Sequence, residues 1–531
     1  MDPEKKKSLH SRYNPKGEAE RYINSLSLND RIRFFILIEP GLGYMTAPLR
    51  RRVPNARIIA IHAEGKTEQN TESLPFDLLK TNAPDSEWYP DMDIPLQNFL
   101  ENEIDDCGAT EIRILEWRPA LALYGELYLN LVEEAAAFVK RSDANIRTTK
   151  GFGSRWLKNF FKNLELIREV FCPVQLSIPF LVTGAGPGLE ESISLIKEES
   201  RRDSLFILAV SSSAAALKAG GLIPDMVIST DGGNWARFHL YEFWRMENNR
   251  AASNCRPPFS FSGSANYGST LPLAAALTAA LPSQSESLPI LPISDGSLWQ
   301  TLILKELNIP HIVLPQRGTV SASALDLAFA LSKDEIYIAG MDLATRDIRS
   351  HARPYSLDCI LEEKAARLNP LYSQTYRRSS MIKAGGSFDV YASWFEKEIR
   401  IFSKRLHPLG DNNPLFSSCK NNLPKKVQTV SIREKNKYFP ENFKIVKLKH
   451  EDNISARAFA VLERAIKDPC LSLKLRKELS PLLSTGSRTI SQAEPEDPND
   501  LICALADISR RDRDTAGKIP RVIYRKDPGL A

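Results

Sequence analysis

The stretch from Ile178 to Asp231 constrains the fold of this chain more than any other. An apolar run, Ile178 to Thr183, breaks into Gly184-Ala185-Gly186-Pro187-Gly188, and helical spacing with acidic residues in its first turn follows. A second apolar run, Leu205 to Val210, leads through Ser211-Ser212-Ser213 into an alanine-rich helix that ends at Gly220-Gly221. A third, Met226 to Ser229, ends at Thr230-Asp231-Gly232-Gly233. This is a β-turn-α-β-turn-α-β unit with glycine or polar residues at the end of each strand. Chains of this pattern build an open parallel sheet with ligands at the carboxyl ends of its strands.

Two readings fit the glycine turn. Without a Cβ, Gly184, Gly186 and Gly188 let the backbone approach a phosphate, which the amino terminus of the next helix attracts, and Pro187 suits a first helical turn. Alternatively the turn is a tight connection that binds nothing. It is not a P-loop, because no Gly-Lys-Ser/Thr follows. It is not the dinucleotide fingerprint either, because Pro187 falls inside the spacing.

Strand and helix patterns continue on both sides. Arg33 to Ile38 and Ala56 to His62 read as strands, with Glu39-Pro40-Gly41-Leu42-Gly43 between them as a loose nucleotide-like turn or a purely structural one. Glu111 to Leu115 is a further strand and Leu121 to Lys140 a long helix. After Gly151-Phe152-Gly153, the residues Trp156, Phe160, Asn163 and Leu164 recur at helical spacing and suggest a bridging helix over 146–172. Beyond the central unit, Phe259 to Phe261, Pro289 to Ile293, His311 to Leu314 and Glu335 to Ala339 are strand candidates. Helices are expected from Ser297, as N-cap, and over Ala322 to Leu331. The expected architecture is α/β: a polar segment (1–28), a Rossmann-like amino-terminal domain (29–145), the bridging helix, a doubly wound central domain (173–420) and a mainly helical carboxyl-terminal region (421–531). In that last region Val427 to Val430 and Lys444 to Leu448 are short strand candidates.

The bulk numbers exclude several classes. With 531 residues, 43% apolar and 25% charged, the chain is globular in composition. A net charge of +5 from 70 basic and 65 acidic residues gives no nucleic-acid signature, and clusters such as Arg50-Arg51-Arg52 and Arg377-Arg378 read as solvated faces. Seven scattered cysteines neither frame a disulfide scaffold nor space as a zinc site. The polar start and the lack of a long apolar run predict a cytoplasmic protein without a membrane span.

Several of these motifs occur in the order of a known family. They are Gly41-Leu42-Gly43-Tyr44, Arg155 to Asn159, Gly184 to Leu189, Gly221 to Asp225 with Asp231, Gly318-Thr319-Val320, Gly340-Met341-Asp342-Leu343-Ala344 and Ser350-His351-Ala352. Together they resemble the motility-associated factor (Maf) flagellin glycosyltransferases, over most of residues 30 to 405. Gly188 stands where that family carries serine, and Thr345 to Arg349 lacks its usual glycine.

The resemblance implies a central domain similar to bacterial sialyltransferases. It also implies transfer of a nonulosonic acid, pseudaminic or legionaminic in type, from its CMP-activated form to serine or threonine of flagellin. Under it Gly184, Ala185, Gly186, Pro187, Gly188 and Ser212 would meet the nucleotide, and Asp231 a ribose hydroxyl or base edge. Gly318, Thr319 and Ser321 would meet phosphate or the sugar carboxylate. His351 is the candidate general base, Asp342 orients the loop, and Arg346, Arg349 and Arg353 are offered to the sugar carboxylate. No cofactor is expected beyond the CMP-sugar co-substrate, and no metal, since Asp231-Gly232-Gly233 is not a DxD motif. Two alternatives stand beside this reading. One is a pyrophosphokinase of the 6-hydroxymethylpterin type that uses ATP and Mg²⁺, whose glycine-proline loop and Gly-x-Asp-Leu segment are shared. The other is a flagellin-binding protein without turnover.

Overall fold

The computed structural model describes residues 8–65, 83–105, 107–198, 205–241, 272–383, 395, 404–409, 445–448, 453–483 and 498–510. The chain divides into two compact units, Met1–Gly151 and Phe152–Ala531.

In the first unit four parallel strands pair in the order β3-β2-β1-β4: β1 (Phe34–Ile38), β2 (Arg57–Ile61), β3 (Ser86–Trp88) and β4 (Ile112–Glu116). β1 is buried along its whole length, which explains its uninterrupted Phe-Phe-Ile-Leu-Ile run. The helices are α1 (Pro15–Ser25), α2 (Thr46–Arg52), α3 (Leu96–Glu103), α4 (Arg118–Tyr124) and the start of α5 (Glu126–Leu166). The polar amino-terminal segment therefore contains an ordered helix. Asn14 Oδ1 caps it by accepting from Gly17 N–H at 2.8 Å, and Ala19 and Ile23, four residues apart, bury its inner face.

At the carboxyl ends of β1 and β2, buried Glu39 and half-buried His62 form an ion pair, with Nδ1 3.6 Å from Oε1. Glu87 stands 3.8 Å from the other ring nitrogen, and Tyr89 stacks on the imidazole at 4.4 Å. Burial alone would lower His62, but the two carboxylates outweigh it and hold it at about 9.

The second unit contains a ten-stranded sheet. Its main order is β13 (Leu406–Pro408), β12 (Ile336–Ala339), β6 (Phe180–Thr183), β7 (Phe206–Val210), β8 (Met226–Ser229), β9 (Leu273–Ala276), β10 (Ile290–Ser294), β5 (Glu169–Phe171) and β14 (Ile445–Lys447), with β11 (Ile312–Val313) paired to β10. All pairs are parallel except β14 with β5. One face carries the end of α5, then α6 (Leu189–Glu198), α7 (Ala214–Ala219) and α8 (Leu298–Glu306), in a single apolar cluster. The other is covered chiefly by α9 (Val320–Leu331). Helices on both faces make this a doubly wound α/β sheet, as expected.

Several details differ from the sequence reading. β9 is an additional strand, and the Phe259 to Phe261 and Val427 to Val430 candidates lie outside the described residues. Past Gly125 one helix runs unbroken to Leu166, so most of the expected Leu121 to Lys140 helix and the bridging helix over 146–172 are a single element, which ends before β5. Ser297 holds the N-cap position of α8 without a side-chain cap. Glu478 does that work instead, accepting from Leu298 N–H at 3.2 Å and Trp299 N–H at 3.3 Å.

Glu478 belongs to the carboxyl-terminal helices α12 (Ile454–Lys467), α13 (Pro469–Leu483) and α14 (Pro498–Arg510), preceded by α10 (Asp358–Glu363) and α11 (Leu371–Lys383). The three terminal helices bury Leu462, Leu475, Leu479, Leu501 and Leu505 in the same core as the sheet, and so share its unit.

The two helical glycines make a sharp test. A Cβ at Gly151 would meet nothing within 4 Å, whereas one at Gly153 would lie 2.4 Å from Leu482 Cα. Gly151→Ala should stabilise the chain by about 0.5–1 kcal/mol through helix propensity. Gly153→Ala should lose more than that gain, for a net cost of about 1–2 kcal/mol, because backbone cannot yield as a side chain can. Urea denaturation of both variants checks this; equal effects would show that Leu482 does not press on α5.

Candidate functional site

The chain runs from β6 to β7 and β8 on one side, then returns to place β12 on the other side of β6, so the strand order reverses at β6/β12. Such a switch point opens a crevice at the carboxyl ends of its two strands. The two segments leaving it are Gly184 to Gly188 and Gly340 to Asp342, and they are laced together. Gly184 N–H donates to Ala339 O at 2.8 Å, Gly186 N–H to Gly340 O at 2.7 Å, and Gly188 N–H to Asp342 Oδ2 at 3.0 Å. Gly340 has φ of +63°, and Cβ atoms at Gly184 or Gly340 would lie 2.4 and 2.6 Å from the opposing carbonyl oxygens.

The glycines thus serve a close approach of two backbones. The anion at the amino terminus of α6 is the protein's own Asp342 carboxylate, whose pKa burial raises against the pull of the Gly188 N–H. Because three of the turn's amides are used inside the protein, a direct phosphate cradle on Gly184, Gly186 and Gly188 gives way to a wall held in shape by Asp342.

Beyond Asp342 the chain folds into a small, solvent-open cleft lined by residues that include Arg349, Ser350, His351, Arg353, Tyr355, Asp358, Thr375 and Arg378. Ala352 N–H donates to Ala185 O at 2.8 Å and ties this loop to the glycine turn. His351 stacks on Tyr355 at 4.1 Å, and its Nδ1 lies 2.8 Å from Ser350 Oγ. His239 meets the same tyrosine at 5.3 Å, and the Arg378 guanidinium lies 5.9 Å over its ring. Burial, Arg378 and the neighbouring histidine push His351 down to about 3, and burial with Arg378 holds His239 at about 4 despite Asp231. Both imidazoles are therefore neutral near pH 7. Burial raises Tyr355 and keeps it a phenol, although Arg378 pulls the other way. The lining sets Arg349, Arg353 and Arg378 against the Asp358 carboxylate, among neutral hydrogen-bonding rings, and this positive excess suits an anion.

The residues named from sequence fall around this point unevenly. Asp342 and the glycine turn stand at the switch point, tied to the cleft loop through Ala352, and His351 lines the cleft. Asp231 follows β8, accepts from Gly233 N–H at 2.7 Å and exerts its charge on His239 and Tyr355. Ser212 follows β7, where its neighbour Ser213 bonds to Thr183 Oγ1 at 3.1 Å. Gly318, at φ +70°, and Thr319 and Ser321 open α9; Thr319 is its N-cap without a side-chain cap, and Arg317 is paired with Asp326 at 2.8 Å.

The arginines are redistributed. Arg346 pairs with Glu191, Arg349 with Glu190 and Arg353 with Asp358. The guanidinium set among the rings is Arg378, whereas Arg377 is exposed. Sequence reasoning missed His239, Tyr355, Thr375 and Arg378. Only the scarcity of histidine, seven in the chain, could have drawn attention to His239. Among the described residues no group of three or more His, Cys, Asp or Glu side chains could hold a metal ion. No helix among them is long and apolar enough to cross a membrane.

A doubly wound sheet with an anion-suited cleft beside its switch point defines a class: α/β proteins that bind at the carboxyl edge of a parallel sheet. Known proteins narrow it. Residues 154–347 match the model of the family described as 6-hydroxymethylpterin diphosphokinase MptE-like. The solved structure of a Maf glycosyltransferase from Magnetospirillum magneticum AMB-1 is similar with a TM-score of 0.50 at 13% identity, covering 94% of this chain and 84% of that one. The chain thus resembles a Maf glycosyltransferase in fold and has an MptE-like central segment. Two uncharacterized proteins of Treponema pallidum (strain Nichols) are also similar. One is 28% identical over 309 residues, 56% of this chain and 60% of the relative; the other is 29% identical over 119 residues, 22% and 54%. The chain spans a little over half the length of these curated relatives.

Proposed function

We propose that the chain is a glycosyltransferase that moves a nonulosonic acid from its CMP-activated donor to a serine or threonine hydroxyl of flagellin. The observation that carries this reading is the Arg378–Tyr355–His351–His239 cluster in the cleft beside the switch point, in a fold shared with a Maf glycosyltransferase. Donor and acceptor are the narrower part of the proposal, and flagellin enters only through the resemblance.

The chemistry asks little of a metal. As the acceptor oxygen bonds to the anomeric carbon, the bond to the CMP phosphate breaks and the phosphate leaves with the electron pair. Arg378 meets the negative charge that develops there. His351, neutral and held by Ser350, receives the acceptor proton. The donor's negative charge offsets Arg378 and raises the imidazole's proton affinity at the moment it is needed. Asp342 keeps the glycine wall in place and stays clear of the reacting atoms.

Thermal-shift binding with CMP and with ATP–Mg²⁺, followed by turnover with a CMP-sugar, tests the reading. CMP should raise Tm in the native chain, and Arg378→Ala should abolish that rise. His351→Ala should still bind CMP but lose turnover by about 10²–10⁴-fold. The family match keeps one competitor in view: stabilisation by ATP–Mg²⁺ alone would replace the transferase with a pyrophosphokinase. Retained flagellin binding without CMP binding or turnover would leave a non-catalytic partner of flagellin.

A further inference from the structure

His351 rides on a loop that runs from the end of β12 at Ala339 to the start of α10 at Asp358. The first half of that loop closes on itself. Arg346 and Arg349 exchange backbone hydrogen bonds at 3.0 and 2.9 Å, and the Arg346 side chain pairs with Glu191. The half that holds His351 is fastened to the stretch that follows β6. Ala185 O accepts from Ala352 N–H at 2.8 Å. Glu190 Oε1 accepts both from Arg353 N–H and from Arg349 Nη1, each at 2.9 Å.

These attachments bracket the histidine. Arg349 lies two residues before His351 and Arg353 two residues after it, so one carboxylate oxygen grips the chain on both sides. Hydrogen bonds to an ionised group are stronger than neutral ones. Glu190 is itself well anchored, in the first turn of α6, whose entry is fixed by Gly188 N–H on Asp342 Oδ2. The partners of the imidazole, by contrast, travel with it. Ser350, 2.8 Å from Nδ1, and Tyr355, stacked at 4.1 Å, belong to the same loop. Glu190 and the Ala185 carbonyl refer that loop to the strand ends at the switch point.

We propose that Glu190 is a positioning residue for the transfer: its carboxylate holds the loop so that His351 meets the acceptor hydroxyl. The inference rests on the reading that His351 takes the acceptor proton, and adds to it the group that aims the imidazole. A base must come within hydrogen-bond reach of the proton it removes. A displacement of about 1 Å can cost on the order of 10²-fold in rate. Arg378 projects from α11, outside the bracket, so anion binding does not call on Glu190. The same grip engages the Arg349 guanidinium within the protein, which leaves Arg378 as the cation set among the rings.

Glu190→Ala in the full chain tests this with two readouts. Hydrogen exchange in peptides spanning 349–353 should quicken about tenfold as the bracket opens. Turnover with a CMP-sugar should lose about 10–100-fold in kcat, while CMP affinity by calorimetry stays within about threefold. Glu190→Gln keeps Oε1 as an uncharged acceptor and should recover most of both losses. His351→Ala supplies the decisive background: if Glu190 acts through the imidazole, Glu190→Ala takes no further activity from it. An undiminished kcat overturns the proposal, and so does a loss that multiplies with that of His351→Ala. CMP affinity that falls in step with kcat also overturns it, as the mark of a collapsed cleft. A native chain without turnover would instead remove the transfer reading, and the role of Glu190 with it, even where exchange shows the bracket in place.

Discussion

Gly340→Ala is expected to destabilise the second unit by about 2–6 kcal/mol and to bring down donor binding with it. Two costs add. At φ +63° an alanine is held in the left-handed region, which costs about 1–3 kcal/mol, and its Cβ would press to 2.6 Å on Gly184 O, an overpacking cost of about 1–3 kcal/mol. Neither can relax cheaply, because the opposing atom is backbone at the end of a buried strand. Gly184→Ala separates the terms: it meets Gly340 O at 2.4 Å but sits outside the left-handed region, so it should show the overpacking cost alone. Urea denaturation of both variants supplies the comparison. A loss under about 1 kcal/mol for Gly340→Ala would mean that the two segments can part freely, and the laced wall would have to be abandoned.

Acid and alkali should act on different units. In the second unit His351 and His239 sit at about 3 and 4, below the 6.5 of a free imidazole. Between those values the unfolded chain binds more protons than the folded one. Stability is therefore full above pH 6.5 and falls as pH drops through the folded values, with about 3 kcal/mol lost for the pair between pH 6.5 and 5. In the first unit His62 is held at about 9 by Glu39 and Glu87. There the folded chain binds the extra proton, so its stability is present below pH 6.5 and disappears as pH rises through 9, on the order of 3 kcal/mol. Hydrogen exchange followed separately in peptides of each unit at pH 5, 7 and 9.5 should show opposite trends. His62→Gln should erase only the alkaline one. Parallel loss in both units at either extreme would contradict this assignment.

The central strands were legible because both faces of them are covered, so the apolar runs at Phe180–Thr183, Phe206–Val210 and Met226–Ser229 carry no polar interruption. β9 was not legible: Leu-Ala-Ala-Ala is short, small and equally at home in a helix. Gly153 lies inside α5 although glycine costs a helix about 1 kcal/mol, and only Leu482, more than three hundred residues later, supplies the reason to keep it. The cap of α8 hid for the same cause, since Glu478 is 180 residues from Leu298. In the site, Asp342 and His351 were visible as parts of ordered motifs. Arg378 instead passed for half of a solvated Arg-Arg pair, because a helix turns neighbouring residues in different directions and the sequence does not say which of them faces the rings.

The helices after Asn453 close one apolar face of the sheet and hold the cap of α8. On a ribosome this sets an order of events. The strands from Phe180 to Ala339 emerge first and can pair, yet Leu157, Phe160, Trp299 and Ile303 stay without their final cover until residues 454–483 have left the exit tunnel. For the time needed to add more than a hundred further residues, on the order of ten seconds at typical synthesis rates, the nascent chain carries a broad sticky surface. Its yield in cells should depend more on chaperones and on the pace of translation over its last third than on the finished fold's stability.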